Sequence, residues 1–222
     1  MDTSTLVRKL LLDGRFEAVA EMAVSRPRVL GFLSTLAYDT EPLVAWRAIE
    51  TSGMAAARLV EAGNEEAVRQ HLNYLVNLIE VESENVGWQA PQVVGEIIRN
   101  LPEQFDDYLV ALLDLIERHS SIQRRALPGV LWAIGRLATS QPGAMELALP
   151  HLPVLLVNPD PSTRGMAAWC LSQGHSPNVS EDLRPQLQAL IDDQHEVTVY
   201  AGGRFITYTI AELARQALVG LL

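Results

Sequence analysis

The chain has 222 residues, 48% hydrophobic and 20% charged, which excludes a disordered polypeptide and leaves room for one large domain or one elongated array. Its net charge is −10 and Lys9 is its only lysine, so it repels nucleic acid and anionic lipid; Arg124-Arg125 is the nearest approach to a basic patch. Cys170 is the only cysteine, so no disulfide forms within the chain, and no run reaches the ~18 apolar residues of a membrane helix. With no apolar core of signal-peptide length near Met1, the expectation is a cytoplasmic protein that binds neither nucleic acid nor membrane.

In chain order, residues 4–25 read as two short capping helices broken at Asp13-Gly14, which makes 1–25 an N-terminal cap. Four helix pairs then fill 26–178. Their first helices are VLGFLSTLAY (29–38), AVRQHLNYLVNLIEV (67–81), FDDYLVALLDLIERH (105–119) and AMELALPHLPVLLV (144–157). In each, apolar residues recur at three- and four-residue steps, as an amphipathic helix requires. Pro150 and Pro153 predict a kink in the last of them.

The second helices share a loose small-residue pattern: AIETSG (48–53), APQVVG (90–95), VLWAIG (130–135) and AAWCLS (167–172). Their first residues, Ala48, Ala90, Val130 and Ala167, are 42, 40 and 37 residues apart. A polar turn precedes each, most clearly Asn158-Pro159-Asp160-Pro161. A repeat of about 40 residues that is helix, turn, helix cannot bury its apolar face alone, whereas a stack of such pairs can.

Residues 158–164, NPDPSTR, followed by Ala167-Ala168-Trp169-Cys170-Leu171, resemble the HEAT-like repeat of the phycobilin-lyase type. The arginine of that motif is Arg164; the matching positions in the other copies are Ala45, Gly87 and Leu127. GRFEAVAEMA (14–23) and GWQAPQVVGEI (87–97) also resemble an uncharacterised group of bacterial HEAT-repeat proteins. The resemblance implies one all-α domain over 1–222, a right-handed α-α superhelix of about four helix pairs with caps. It also implies a scaffold that binds a protein partner.

The C-terminal cap, 179–222, departs from the repeat. After a helix at 183–193, Val197–Tyr200 and Phe205–Thr209 are β-branched and aromatic around Gly202-Gly203, which predicts a two-residue hairpin near 197–208. Tyr200 then pairs with Phe205 and Val199 with Ile206. One face carries Val197, Val199, Ile206 and Tyr208 and packs on helices; the other, with Thr198, Tyr200, Phe205 and Thr207, is wetter. Thr209 caps a last helix, with Glu212 three residues on. The hairpin either shields the end of the stack or, through Tyr200, Phe205 and Arg204, pairs with another chain as a homodimer or peptide dock.

Chemistry leaves few marks. A di-iron hydroxylase on this scaffold repeats His-Glu pairs, and here there is one, His195-Glu196; the histidines at 71, 119, 151, 175 and 195 share no repeat position. Glu80, Glu82 and Glu84, like Asp192 and Asp193, read as solvated helix ends and turns. No nucleophile motif or phosphate loop is present, and no cofactor is implied. An interaction scaffold is therefore the main reading, and a lyase- or hydroxylase-like enzyme, or a small-ligand or metal-binding protein, the alternative.

Helical rotation of 100° per residue sorts each second helix. Positions 0, +4 and +7 from the first residue of the pattern face the core. Positions −1, +2 and +6 face the other way and are expected to line a groove: Arg47, Glu50 and Met54; Gln89, Gln92 and Glu96; Gly129, Trp132 and Arg136; Met166, Trp169 and Gln173. Trp132 and Trp169 are the candidate hot spots, unless each tucks sideways against the adjacent repeat. Trp46 and Trp88, at the margin, read as packing residues.

Overall fold

A computed structural model describes residues 2–80, 89–117, 126–174 and 183–220. Glu82, Glu84, Trp88, His119, Arg124, Arg125 and His175 lie outside the described residues, as does the side chain of Glu80. The chain forms two compact units, Met1–Val110 and Ala111–Leu222.

The first unit opens with α1 (Thr3–Leu12) and α2 (Phe16–Ser25), separated as expected at Gly14, whose φ of 69° is open to glycine without strain. Then come α3 (Val29–Leu36), the long α4 (Pro42–Glu61), α5 (Glu65–Glu80), α6 (Ala90–Asn100) and the single turn α7 (Pro102–Phe105). Pro42 and Pro102 stand at first helical positions, where no N–H is needed. Helix α4 packs on α2, α3 and α6. Gly53 makes the α4–α6 approach possible, since a β-carbon there would collide with the Glu96 carbonyl and the Asn100 side chain. The single helix expected over 105–119 is interrupted: a 3-10 turn at Asp106–Tyr108 precedes α8 (Leu109–Glu117). Adjacent aspartates compete for backbone hydrogen bonds and disfavour a continuous helix there.

The second unit takes in most of α8 and then holds α9 (Leu127–Ala138), α10 (Pro142–Ala148), α11 (Leu152–Leu156), α12 (Pro161–Gln173), α13 (Arg184–Ala189), strands β1 (Glu196–Ala201) and β2 (Arg204–Thr209), and α14 (Ile210–Val219). The expected kink is a 3-10 turn, Leu149–His151, between α10 and α11. Asp160 caps α12 by accepting from the Ser162 and Thr163 amides. Helix α12 is the centre of this unit: it packs on α9, α11, α14 and β1.

The core side of the second helices is where rotation placed it. Ala48, Ser52 and Ala55, Ala90, Val94 and Ile97, Val130, Ile134 and Leu137, and Ala167 and Leu171 are all buried. The hairpin register is also as expected, with Tyr200 opposite Phe205 and Val199 opposite Ile206. Gly202 and Gly203 take φ of 58° and 80°, the two positive values of the tight turn. Thr209 and Glu212 form the capping box of α14. Within the hairpin one expectation fails. Tyr200, assigned to the wetter face, is 1% exposed, while Phe205 beside it, edge-on at 5.6 Å, is 38% exposed.

Candidate functional site

The residues expected to line a groove do not form one continuous exposed stripe. On α4, Arg47 turns back to α1: its Nη1 donates to the carbonyls of Leu11 and Leu12, each at 2.8 Å, and its guanidinium lies 5.6 Å from the Phe16 ring. It satisfies orphan carbonyls at the end of α1, the usual use of a cation at a helix C-terminus. On α6, Gln92 is buried and donates to Gln89, and Glu96 is fully buried with an ion pair to Arg99 at 3.0 Å.

On α9 and α12 the correction is larger. Trp132 is 1% exposed, and its indole N–H donates to the Tyr200 carbonyl at 2.9 Å. Trp169 is 3% exposed and lies against Gly135 of α9, the sideways packing between neighbouring helices. Met166 is buried too. Arg136 stays half-exposed, stacked 5.5 Å above the Trp132 ring, and Gln173 stays half-exposed at the end of α12. Rotation about a helix says which way a side chain leaves its own axis, not what a neighbouring helix brings to meet it. Gly135 leaves a notch, and the indole of Trp169 fills it.

Among the described residues of the second helices, large apolar side chains stay partly accessible on α4. Trp46, Glu50 and Met54, at four-residue intervals, are all half-exposed. The same helix continues through Arg58, which pairs with Glu21 at 3.1 Å and with Glu61 at 2.9 Å.

The motif arginine has a structural role. Arg164 Nε donates to Asp193 Oδ2 at 2.7 Å, and Arg164 Nη1 donates to the Pro159 carbonyl at 2.9 Å. His195 adds its amide and its ring Nδ1 to Asp193 Oδ1, at 3.0 and 2.8 Å. Burial raises the Asp193 pKa, but the hydrogen bonds from Arg164 and His195 outweigh it and hold the carboxyl at about 2. The Asp193 and His195 carbonyls accept the amides of Ala211 and Ile210, so this node fastens the start of β1 and the start of α14 to α12. An open pocket lies over it, lined by Arg164, Asp192, Asp193, Gln194 and His195.

Ser34 and His71, distant in sequence, meet at 2.8 Å. Among the described residues no carboxylate holds the other ring nitrogen, and Ser34 stands inside α3, where its amide belongs to the helix. The pair therefore lacks the orienting acid and oxyanion donors of a nucleophilic site. Burial pushes the His71 ring down to about 4 and raises the thiol of the fully buried Cys170 above its ordinary range. Among the described residues no group of three His, Cys, Asp or Glu side chains is placed to hold a metal ion, and no helix is long and apolar enough to cross a membrane.

Residues 125–173, from the start of α9 to the end of α12, match the model of the HEAT-like repeat. The chain carries a HEAT-like repeat. No curated protein matches its sequence. A designed armadillo repeat protein is similar over 100% of this chain and 95% of its own, at 18% identity and a TM-score of 0.57. Computationally designed armadillo repeat proteins for modular peptide recognition are similar over 98% of this chain and 99% of theirs, at 18% identity and a TM-score of 0.52. At such identities the likeness shows the fold alone, a stack of helical repeats; the chain also has an antiparallel hairpin near the C-terminus.

Proposed function

We propose that this HEAT-like repeat protein is an interaction scaffold for a protein partner, and that α4 supplies part of the docking surface. The observation that carries this reading is the half-exposed line Trp46, Glu50, Met54 on one face of a 20-residue helix. A tryptophan and a methionine in line offer a large apolar contact, the composition of an interface hot spot. The likeness to designed proteins made for peptide recognition supports the scaffold reading at the level of fold.

The test is Trp46→Ala combined with Met54→Ala, with melting temperature and capture of partners from the native host measured together. The expected outcome is loss of a specific partner at little cost in melting temperature. A partner set unchanged from wild type, or a variant too unstable to fold, would remove α4 as the docking surface.

A further inference from the structure

Among the described residues no strand pairs with the outer side of β2. In a two-residue hairpin closed at Ala201 and Arg204, the pairs that exchange main-chain bonds are Ala201–Arg204, Val199–Ile206 and Val197–Tyr208. Thr198, Tyr200, Phe205 and Thr207 therefore turn their N–H and C=O groups outward. The Trp132 indole fixes this phase independently, because it reaches the Tyr200 carbonyl from outside the ladder at 2.9 Å. On β2 the outer side ends at Thr209, whose amide is taken by the Glu212 carboxylate at 2.7 Å. Thr207 is exposed, and among the described residues nothing meets its amide or its carbonyl.

We propose that this edge pairs with the same edge of a second copy of the chain, antiparallel and about a two-fold axis at Thr207, so that the two hairpins make a four-stranded sheet. In this register Thr207 exchanges both main-chain bonds with Thr207 of the second copy. Ile206 then stands opposite Tyr208 of the second copy, and Phe205 opposite Thr209. Thr–Thr and aromatic–β-branched pairs are among the favourable cross-strand combinations. The ladder stops where Thr209 is already capped.

Charge points the same way. Two chains of net charge −10 repel over most of their surface, yet from 197 to 211 Arg204 is the only charged residue. The two copies of Arg204 would lie about 20 Å apart, six strand steps of ~3.4 Å, at opposite ends of the contact. Burial adds a third reason. Val197 and Val199, on the packed face, are 7% and 1% exposed, whereas Ile206 and Tyr208 on that same face are only half-buried. Both stand on the edge strand, where the opposing Tyr208 and Ile206 would cover them. A self-complementary patch closing about a two-fold axis is the commonest way for identical chains to associate.

The experiment is sedimentation or light scattering on the full chain, beside Thr207→Pro. Proline at 207 removes an outward amide and leaves every main-chain bond between β1 and β2 in place, at the cost of the exposed Thr198–Thr207 hydroxyl contact at 3.0 Å. The wild type is expected at twice its 24.4 kDa, and Thr207→Pro at the monomer mass, folded and melting cooperatively. In a second arm, Thr207→Cys is oxidised. The paired α-carbons, about 5.5 Å apart, lie within disulfide reach, so a covalent dimer forms; Arg204→Cys does not crosslink. A wild type that is monomeric at all concentrations, a dimeric Thr207→Pro, or equal crosslinking from both cysteine variants would overturn the proposal. The cysteine pair decides the matter even if the proline variant fails to fold.

Discussion

Gly135 on α9 faces Trp169 on α12 so closely that a β-carbon at 135 would fall 2.6 Å from Cζ3 of the indole and 3.2 Å from the Cys170 α-carbon. The indole is itself buried, and the α12 backbone stands behind it, so neither can retreat freely. Gly135→Ala removes a helix-interior glycine, worth up to about 1 kcal/mol in favour of the variant. Overpacking at such a contact costs roughly 1–3 kcal/mol and should win. Chemical denaturation is expected to show a net loss of stability. Trp169→Leu made together with Gly135→Ala should cost less than the sum of the two single changes, because the smaller side chain vacates the notch.

This contact shows what was legible in the sequence and what was not. The spacing of Ala48, Ala90, Val130 and Ala167 carried the helix-pair repeat, because small residues recur where neighbouring helices touch. Gly202-Gly203 fixed the hairpin register, since local turn chemistry decides it. Trp132 and Trp169 were misplaced for a different reason. Whether a large side chain at a given rotation meets solvent or a neighbour depends on residues about 35 to 70 positions away in this chain, Gly135 for one and Tyr200 for the other. Arg47 was misplaced likewise, because its carbonyl partners sit at the end of α1. Ser34 and His71 carried no local signature that could pair them.

Trp132 joins α9 to the hairpin by donating to the Tyr200 carbonyl, and both residues are fully buried. Trp132→Phe keeps much of the apolar bulk and deletes the donor, leaving that carbonyl without this bond in a dry site. The cost of such a loss is about 1–3 kcal/mol. The damage should be local to the hairpin. Amide exchange is expected to speed up at residues 197–208 more than in α1 to α4, and uniform exchange rates relative to wild type would count against this reading.

The Arg164–Asp193 pair should be felt most in the C-terminal cap. Both side chains are largely buried, at 14% and 13% exposed, and hydrogen bonds to charged partners contribute about 1.5–3 kcal/mol. Asp193→Asn should therefore cost roughly 2 kcal/mol near neutral pH. The sign with pH follows from a carboxyl held at about 2 in the fold against 3.8 for the free group. Its contribution is fully present above about pH 4 and is lost as pH falls toward 2, so the wild-type advantage over Asp193→Asn should shrink over that window. An advantage that stays constant down to pH 2 would mean that the pair does not stabilise the charged carboxylate.

His71 gives a second pH dependence, at higher pH. Burial pushes its ring down to about 4 from an ordinary 6.5, while its one hydrogen-bond partner among the described residues, the Ser34 hydroxyl at 2.8 Å, is neutral. Below pH 6.5 the unfolded chain takes up a proton at this ring and the folded chain does not. Stability contributed by the neutral, buried ring is thus fully present above 6.5 and lost as pH falls toward 4, by roughly 3 kcal/mol at 1.36 kcal/mol per pKa unit. Carboxylates such as Asp193 and Asp39, whose pKa values are lowered, titrate mainly below this window. His71→Gln removes the titrating group and can keep a hydrogen bond to Ser34. Denaturation midpoints taken at half-unit steps from pH 7 to pH 4 should fall more steeply for the wild type than for His71→Gln, the two curves converging or crossing near the acid end. Parallel curves would mean that the His71 ring protonates as readily in the fold as out of it, and that its burial among α3 and α5 carries no such cost.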